Sequence, residues 1–526
     1  MDGLTAARKK ILMVSPYSGS AVAKRMFLSP PLGVMRLAGY LNSKGHDAQF
    51  YDPNIYACNE KGPSLSEKLL EEDWDIIGFS VLDETIVNDI LNMDEAHRLR
   101  PHALILAGGI EAQFNYQTLL DKSACRIVVL GEGEVPLLRL AEGDPWQNIP
   151  GIVLKNMAVA MDEKLFNEAT QTIPWETINY EDYWDVYTEM YGDHWDDDIA
   201  DQVKTVRIFS RNRCPIGCKY CSSTFQLTLA TGGRVPVIGT TDDNLISVIQ
   251  RVVDSHPETR MIYFTDDDFC INKVKVIEFC KKAIEHDFGD LIFMCFARII
   301  DLTEDVVQWM SRANFRKLNI GVESFSQQVL DEVGKRCDVD RVHVVLKLLK
   351  ENGIRPHFNI ILTTPQSRLD DVETTVDHTM SYISDSFYMA GIIAGIEPLK
   401  GAEMAEMYCE FKSEVIQIPG TDHYLQRDGV IYSVDPQVRE FQVRYAEGLD
   451  AEMDEFAREN EIRHPFSNNT ALGKLLFSKR LIAEIRRDHG VPQATQGEHS
   501  AYSHSRNGDE SPVSSGPGDS TRHMLA

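Results

Sequence analysis

The sequence predicts an α/β chain with two successive parallel sheets, and three observations predict it. Up to about residue 145, short apolar runs alternate with amphipathic stretches, and glycines stand where the runs end. From Lys204 the alternation restarts and gives six further strand-helix units, enough for a partial (β/α)6 barrel. Just past the first strand of that second series lies Cys214-Pro-Ile-Gly-Cys218-Lys-Tyr-Cys221, a C-x3-C-x2-C run.

In the first series, strands are expected at 11–15, 48–51, 75–81, 103–107 and 126–130. A helix is expected at 32–44, where Leu32, Met35, Leu37, Tyr40 and Leu41 have helical spacing, with Gly45 as its stop. Short buried strands with glycines at their carboxyl ends mark a doubly wound sheet, whose ligands sit beyond those ends. This first domain spans 8–145. Residues 146–202 read as an interdomain linker, with Trp146, Trp175, Trp184 and Trp195 as packing residues rather than a binding box. The barrel spans 203–401, with strands at 206–210, 261–265, 291–297, 317–322, 357–362 and 389–396, and helices such as 273–286 and 338–352 between them. Loops after barrel strands build the site at one face, and the cysteine loop is one of them. Residues 402–490 read as mostly helical, a cap on the barrel. From 491 to 526 the chain is rich in Ser, Gly, His and Asp and reads as a disordered tail.

The 526 residues suffice for two or three domains, and a hydrophobic content of 43% suffices for their cores. A net charge of −27 excludes unaided binding to phosphate backbones, so no nucleic-acid partner is expected. Lys9 and Lys10 precede an apolar run of only four residues, ended by Ser15-Pro16-Tyr17, too short for a signal peptide. No stretch approaches the ~18 apolar residues of a membrane span. Ten cysteines without a secretion signal point to a reducing cytoplasm.

Three thiolates on one short loop can hold three irons of a [4Fe–4S] cube, leaving the fourth iron open. A structural zinc needs four protein ligands, and no nearby CxxC or HxxxH supplies the fourth. A disulfide framework belongs to small secreted chains. Cys270, Cys280, Cys295, Cys337 and Cys409 read as small core residues, with Cys270 and Cys295 nearest the barrel rim.

The spacing of Cys214, Cys218 and Cys221, with the aromatic Tyr220 before the third, resembles the radical S-adenosylmethionine (SAM) superfamily. The resemblance implies a [4Fe–4S] cluster on those cysteines and SAM on the open iron. Thr265-Asp-Asp-Asp-Phe269 is similar to the Asp-Asp-x-Phe segment of cobalamin-type members, so Asp267 and Asp268 are expected near the SAM amino group. The other reading of these acids is a helix N-terminal cluster favoured by the macrodipole. Arg298, ending the third barrel strand, could fork onto the SAM carboxylate or form a surface salt bridge. Gly321-Val-Glu323-Ser324 resembles the family's Gly-x-Glu-Ser segment, whose polar residues touch SAM. Thr363-Thr364-Pro365 departs from the usual Gly-x-Pro. Glu397-Pro398-Leu-Lys400-Gly401 is the sixth-strand loop.

The first domain resembles the cobalamin-binding domain attached to many radical SAM enzymes. The pieces that carry this are Pro30-Pro-Leu-Gly33, Ser80-Val-Leu82, Gly108-Gly109 and Gly131-Glu132-Gly133-Glu134. Ser80, Leu82, Gly108, Gly109, Gly131, Glu132 and Gly133 are the cobalamin-binding candidates. Ser15-Pro-Tyr-Ser-Gly-Ser20 stands where classical cobalamin proteins carry Asp-x-His-x-x-Gly, so no imidazole reaches cobalt from there. The alternative is a domain that kept the fold and lost the cofactor. Only Cys58 and Cys125 precede the linker, which argues against a second cluster of the tRNA methylthiotransferase type.

Together these resemblances, over about residues 10–400, imply a cobalamin-dependent radical SAM C-methyltransferase acting on an unactivated carbon. One SAM would methylate cobalamin, and a second would give the 5′-deoxyadenosyl radical that opens the substrate to methyl transfer. The expected substrate is a small-molecule or carrier-protein-bound intermediate of secondary metabolism, such as antibiotic biosynthesis, with a flavodoxin or ferredoxin as electron donor. The alternative keeps the radical and drops methylation, giving a cyclisation or rearrangement. A non-catalytic cobalamin or redox sensor is the third reading, and the SAM-type motifs argue against it.

Overall fold

The computed structural model describes residues 7–18, 28–152, 158, 160–192, 196–223, 228, 230–233, 235–410, 415–417, 424–426, 429–460 and 468–490. The tail expected at 491–526 and Trp195 lie outside them.

Five parallel strands make the first sheet: β1 (Lys10–Val14), β2 (Asp47–Tyr51), β3 (Ile76–Ser80), β4 (Leu104–Gly108) and β5 (Ile127–Val128), in the order β2-β1-β3-β4-β5. Strand alternation sends successive side chains to opposite faces, and the core splits accordingly. Leu12, Val14, Ile77, Phe79, Ile105 and Ala107 pack on one side with Ile86, Ile90 and Met93 of the helix Ile86–Leu99. Ile11, Met13, Ile76, Leu106 and Ile127 pack on the other with Val34, Ala38 and Leu41 of the helix Leu32–Ser43. Two cores on one sheet define a doubly wound domain. The strand order reverses between β1 and β3, where such sheets place their ligand crevice.

Six parallel strands make the second sheet: β6 (Thr205–Ile208), β7 (Met261–Phe264), β8 (Ile292–Arg298), β9 (Phe315–Glu323), β10 (Arg355–Thr363) and β11 (Met389–Gly395), paired in sequential order. This is a partial barrel, with helices such as Lys273–His286 and Val339–Glu351 between strands.

Residues 146–202 carry the helices Glu163–Gln171, Tyr180–Tyr191 and Asp197–Val203. Trp175, Tyr180, Trp184 and Tyr187 from this segment are buried in the barrel's own core beside Val248, Ile249 and Val252. Trp146 differs: it is 42% exposed, because its short 3-10 turn buries no residue. Beyond the barrel, the helices Pro436–Glu459 and Asn468–Asp488 pack together through Tyr445 and Phe477. Short strand pairs, Cys409–Glu410 with Val430–Ile431 and Val415–Gln417 with Tyr424–Gln426, precede them in a region that had read as helical. Among the described residues no helix is long and apolar enough to cross a membrane.

Candidate functional site

The loop after β6 carries Cys214, Cys218 and Cys221, all half-buried. It is tied down at both ends. Ser210 N and Oγ and Arg211 N donate to the buried Asp266 carboxylate at 2.6–3.1 Å. Burial pushes Asp266 up to about 6 despite those donors. Farther on, Lys219 N donates to Val333 O (3.2 Å), Met404 N to Lys219 O (2.9 Å), and Cys221 N to Cys218 O (3.1 Å). The three thiols are thus offered on one braced loop at the carboxyl edge of the barrel, which suits iron.

Burial pushes the Cys214 thiol up to about 11 and raises Cys221 as well. They become thiolates at neutral pH only against bound cationic metal. Among the described residues no three Cys, His, Asp or Glu side chains converge on a single ion.

Tyr220 does not face open solvent. Its hydroxyl donates to Glu323 Oε1 at 2.7 Å, and Lys335 Nζ, also buried, donates to the same oxygen at 2.7 Å. Glu323 holds φ at +67°, a left-handed conformation that costs a non-glycine residue energy. Gly321 is required by this pair, since a Cβ there would lie 2.4 Å from both Glu323 Oε1 and Lys335 Nζ. Ser324 is buried beside it, its hydroxyl 2.7 Å from Thr375 Oγ1.

Asp268 and Arg298 meet: Arg298 Nε donates to Asp268 Oδ2 at 2.7 Å and Nη2 lies 2.6 Å from Asp301 Oδ2. The guanidinium fork is already occupied by two carboxylates, rather than free for a ligand. Asp268 is pushed up to about 6, by burial first, and its Oδ1 is buried with no hydrogen-bond partner among the described residues. Asp267 is exposed and accepts from Ser223 Oγ, two residues past Cys221.

On the first domain, Ser80, Leu82, Gly108 and Gly109 come together at the ends of β3 and β4. Gly109 has φ +95°, and a Cβ there would lie 3.0 Å from Ser80 Oγ and 3.1 Å from Val81 N. Leu82 and Ile110 stand at these ends 40% and 46% exposed, an apolar rim suited to a flat ligand. Gly131, Glu132 and Gly133 are elsewhere engaged. Gly131 lies against Ala158 and Ala230, Gly133 against Leu37, and Glu132 accepts from Met161 N at 2.7 Å.

The loop after β1 is pinned by neutral donors: Ser15 Oγ to Asp52 (2.8 Å), Tyr17 N to Asp89 (3.0 Å) and Ser18 N to Asn54 Oδ1 (2.8 Å). Gly19 and Ser20 lie outside the described residues. Sequence reading missed Asp52, Asp89, Asp266 and Lys335. A lone carboxylate on an otherwise apolar helix face was the signal for Asp89; Lys335 follows a glycine turn and gives none.

The two carboxyl edges face each other. Lys400, past β11, bonds Glu111, past β4, and lies 3.3 Å from Asp83, past β3. Ala158 N donates to Ala230 O at 2.8 Å, and Arg36 of the first domain lies 5.1 Å over the Phe209 ring at the end of β6.

Two family models match: the B12 binding domain over residues 20–141 and the Radical SAM superfamily over 208–379. An anaerobic magnesium-protoporphyrin IX monomethyl ester cyclase of Rubrivivax gelatinosus is 24% identical over 70% of this chain and 64% of its own length. The chain thus spans under two thirds of that relative. An uncharacterized methyltransferase of Pyrococcus horikoshii is 23% identical over 70% of this chain and 77% of its own. The solved structure of the cobalamin-dependent SAM radical enzyme OxsB with aqua-cobalamin bound shares the fold, with a TM-score of 0.64 and 14% identity over 92% of this chain and 76% of that one.

Proposed function

We propose that this chain, in which a B12-binding domain precedes a radical SAM domain, is a cobalamin-dependent radical SAM enzyme that methylates an unactivated carbon. The observation that carries the reading is the facing of the two carboxyl edges, tied by Lys400 to Asp83 and Glu111. The chain just past Lys400 also braces the cysteine loop, through Met404 N to Lys219 O, so cofactors held on the cysteine loop and on the β3 and β4 ends would be neighbours. When bound, the [4Fe–4S] cluster, SAM and cobalamin supply the 5′-deoxyadenosyl radical and the methyl group.

This chain's residues hold and shield. Cys214, Cys218 and Cys221 would ligate the cluster. Lys335 holds Glu323 oriented under Tyr220, and Arg298 does the same for Asp268. Asp267, exposed at the same rim, would meet SAM, whereas the Ser324 hydroxyl is engaged by Thr375 Oγ1. Ser80, Leu82, Gly108 and Gly109 offer backbone and apolar surface to cobalamin without a protein imidazole. The substrate is a small-molecule or carrier-bound metabolite, the electron donor a flavodoxin or ferredoxin, and the compartment the cytoplasm.

The test is anaerobic purification, reconstitution with iron, sulfide and hydroxocobalamin, then incubation with SAM and dithionite. About four irons and one corrinoid per chain are expected, with 5′-deoxyadenosine and S-adenosylhomocysteine both formed. Cys218→Ala should lose iron and 5′-deoxyadenosine together. The cyclase name of the Rubrivivax relative supports a second reading, a non-methylating cyclisation. It is the better one if 5′-deoxyadenosine forms without S-adenosylhomocysteine.

A further inference from the structure

Inside the barrel, below the cysteine face, lies a cavity of about 420 Å³. That is room for an organic molecule, since a single water occupies only about 30 Å³. Strand register gives its height. Phe296, Asn319, His357 and Met389 form one layer, paired in turn across β8, β9, β10 and β11. Asn359 and Gly391 belong to the next layer up, with Gly321 and Arg298. The cavity therefore runs from the barrel floor, at Thr205 and Met261, to the level of the Arg298 ion pairs. The helix Asn468–Asp488 lines one side of it.

The charged and hydroxylic groups of the lining are engaged. Arg207 has partners, the Tyr263 ring among them with its centroid at 5.9 Å, and Lys474 Nζ donates to Ile392 O at 3.1 Å. The Tyr263 hydroxyl accepts from Asn319 Nδ2 at 2.7 Å. Two neutral side chains are different. His357 and Asn359 stand two apart on β10, so strand alternation sends both into the lumen. Neither side chain has a hydrogen-bond partner among the described residues. They also converge. Gly391 lies beside Asn359 on β11, and a Cβ there would be 3.1 Å from Asn359 Oδ1 and 3.2 Å from His357 Nε2. Glycine at this position leaves both atoms uncovered. Burial, the chief cause, pushes His357 to about 4, so its ring is neutral at pH 7. Enclosed polar groups that bond to nothing are rare and costly, and two that meet over one void point to a ligand that completes them. A neutral imidazole offers one donor and one acceptor, and an amide side chain offers both. Tyr263 and Phe296, with ring centroids 5.6 Å apart, and the side chains of Met261 and Met294 supply an apolar wall.

We propose that this lumen is the substrate pocket and that it selects a neutral group with both a donor and an acceptor, an amide or lactam edge, met by His357 and Asn359. The substrate's apolar body lies against Tyr263 and Phe296. A carboxylate has no donor to offer this edge, and the cations nearby already have partners. The proposal rests on the function above for what the occupant is, since only a radical enzyme makes it the substrate. Gly391 is the specificity-determining gap, because any side chain there would cover the two polar atoms.

The test uses the full chain, kept anaerobic, and three small probes of one shape: 3-phenylpropionamide, which donates and accepts, its methyl ester counterpart, which only accepts, and the anion 3-phenylpropionate. Binding is read by ligand-observed NMR or titration calorimetry. The amide is expected to bind about tenfold tighter than the ester or the anion. His357→Phe and Asn359→Leu should each bring the amide down to the level of the ester while the ester keeps its affinity. Gly391→Ala should do the same with both polar side chains in place, and it serves alone if circular dichroism shows the other variants unfolded. A parent protein that binds none of the probes, binds all three equally or prefers the anion overturns the proposal. So do folded variants that keep the amide preference. Reductive cleavage of SAM by the parent protein is measured in parallel. No 5′-deoxyadenosine with the amide preference intact removes the enzyme reading and leaves a pocket for neutral amides; 5′-deoxyadenosine with no preference does the reverse.

Discussion

At the carboxyl edge of β1–β5, the buried Asp52 and Asp89 are met by neutral donors; at the edge of β6–β11, the buried Glu323 and Asp268 are met by cations. Asp52 accepts from Ser15 Oγ, Asn54 and Tyr183 OH, and Asp89 from Tyr17 N and Thr85 Oγ1. Glu323 is met by Lys335 and Asp268 by Arg298. Neutral donors leave burial in charge, so Asp52 and Asp89 are both raised, Asp89 to about 8. A cation at 2.7 Å fixes the direction of a buried carboxylate.

Breaking the ionic side should have the largest effect. Lys335→Met leaves Glu323 as a buried, unpaired charge, and about 3–5 kcal/mol of stability should be lost in urea unfolding. Adding Glu323→Gln to that variant should restore most of it. If the single variant is as stable as the parent protein, the pair is solvated and the contrast fails.

The neutral side should show itself through pH. Between pH 3.8 and about 8 the folded Asp89 holds a proton that the unfolded chain has released. More protons bound in the folded state means that stability falls as pH rises through that window. Asp89→Asn keeps the shape and removes the titration. Its advantage over the parent protein should therefore grow by about 2–4 kcal/mol from pH 5 to pH 8. An advantage that does not grow with pH would mean that Asp89 is ionised in the fold.

Gly321→Ala sharpens the ionic side more gently. The added methyl must push Glu323 or Lys335 aside from 2.4 Å, at a cost of about 1–3 kcal/mol. The Lys335→Met, Glu323→Gln background vacates part of that space, so the same substitution should cost less there.

Much of this was legible in the sequence, and what escaped has a physical pattern. All five strands of the first sheet and all six of the second were expected within a few residues, because buried parallel strands are short, nearly continuous apolar runs. The cysteine loop was legible because no other structure needs that spacing. Glu323 stood out through its Gly-x-Glu-Ser segment. Its partner Lys335 did not, because a buried lysine 12 residues away is specified only by tertiary contact. Arg298 was expected free for a ligand or at the surface; Asp301, three residues on, binds it from a 3-10 turn that leaves no periodic trace. The Gly131-Glu132-Gly133 segment matched its motif, yet Ala158, Met161 and Ala230 pack against it, and those come from segments with no readable period.

The smallest effect is expected where the two edges meet. Lys400 is 26% exposed, Asp83 54% and Glu111 5%, so the two arms of its ion pair differ. The Asp83 arm is screened by salt and worth little. The Glu111 arm is not, and Glu111 is already raised, chiefly by burial, with Lys400 holding it down. Lys400→Gln lets Glu111 rise further, and a protonated Glu111 needs no cation. The variant should therefore cost about 1 kcal/mol at neutral pH, and the cost should shrink as pH falls and Glu111 takes up its proton. Raising salt should remove only the Asp83 share. If acid leaves the cost unchanged while salt abolishes it, the exposed Asp83 arm carries the effect and the Glu111 arm adds nothing measurable.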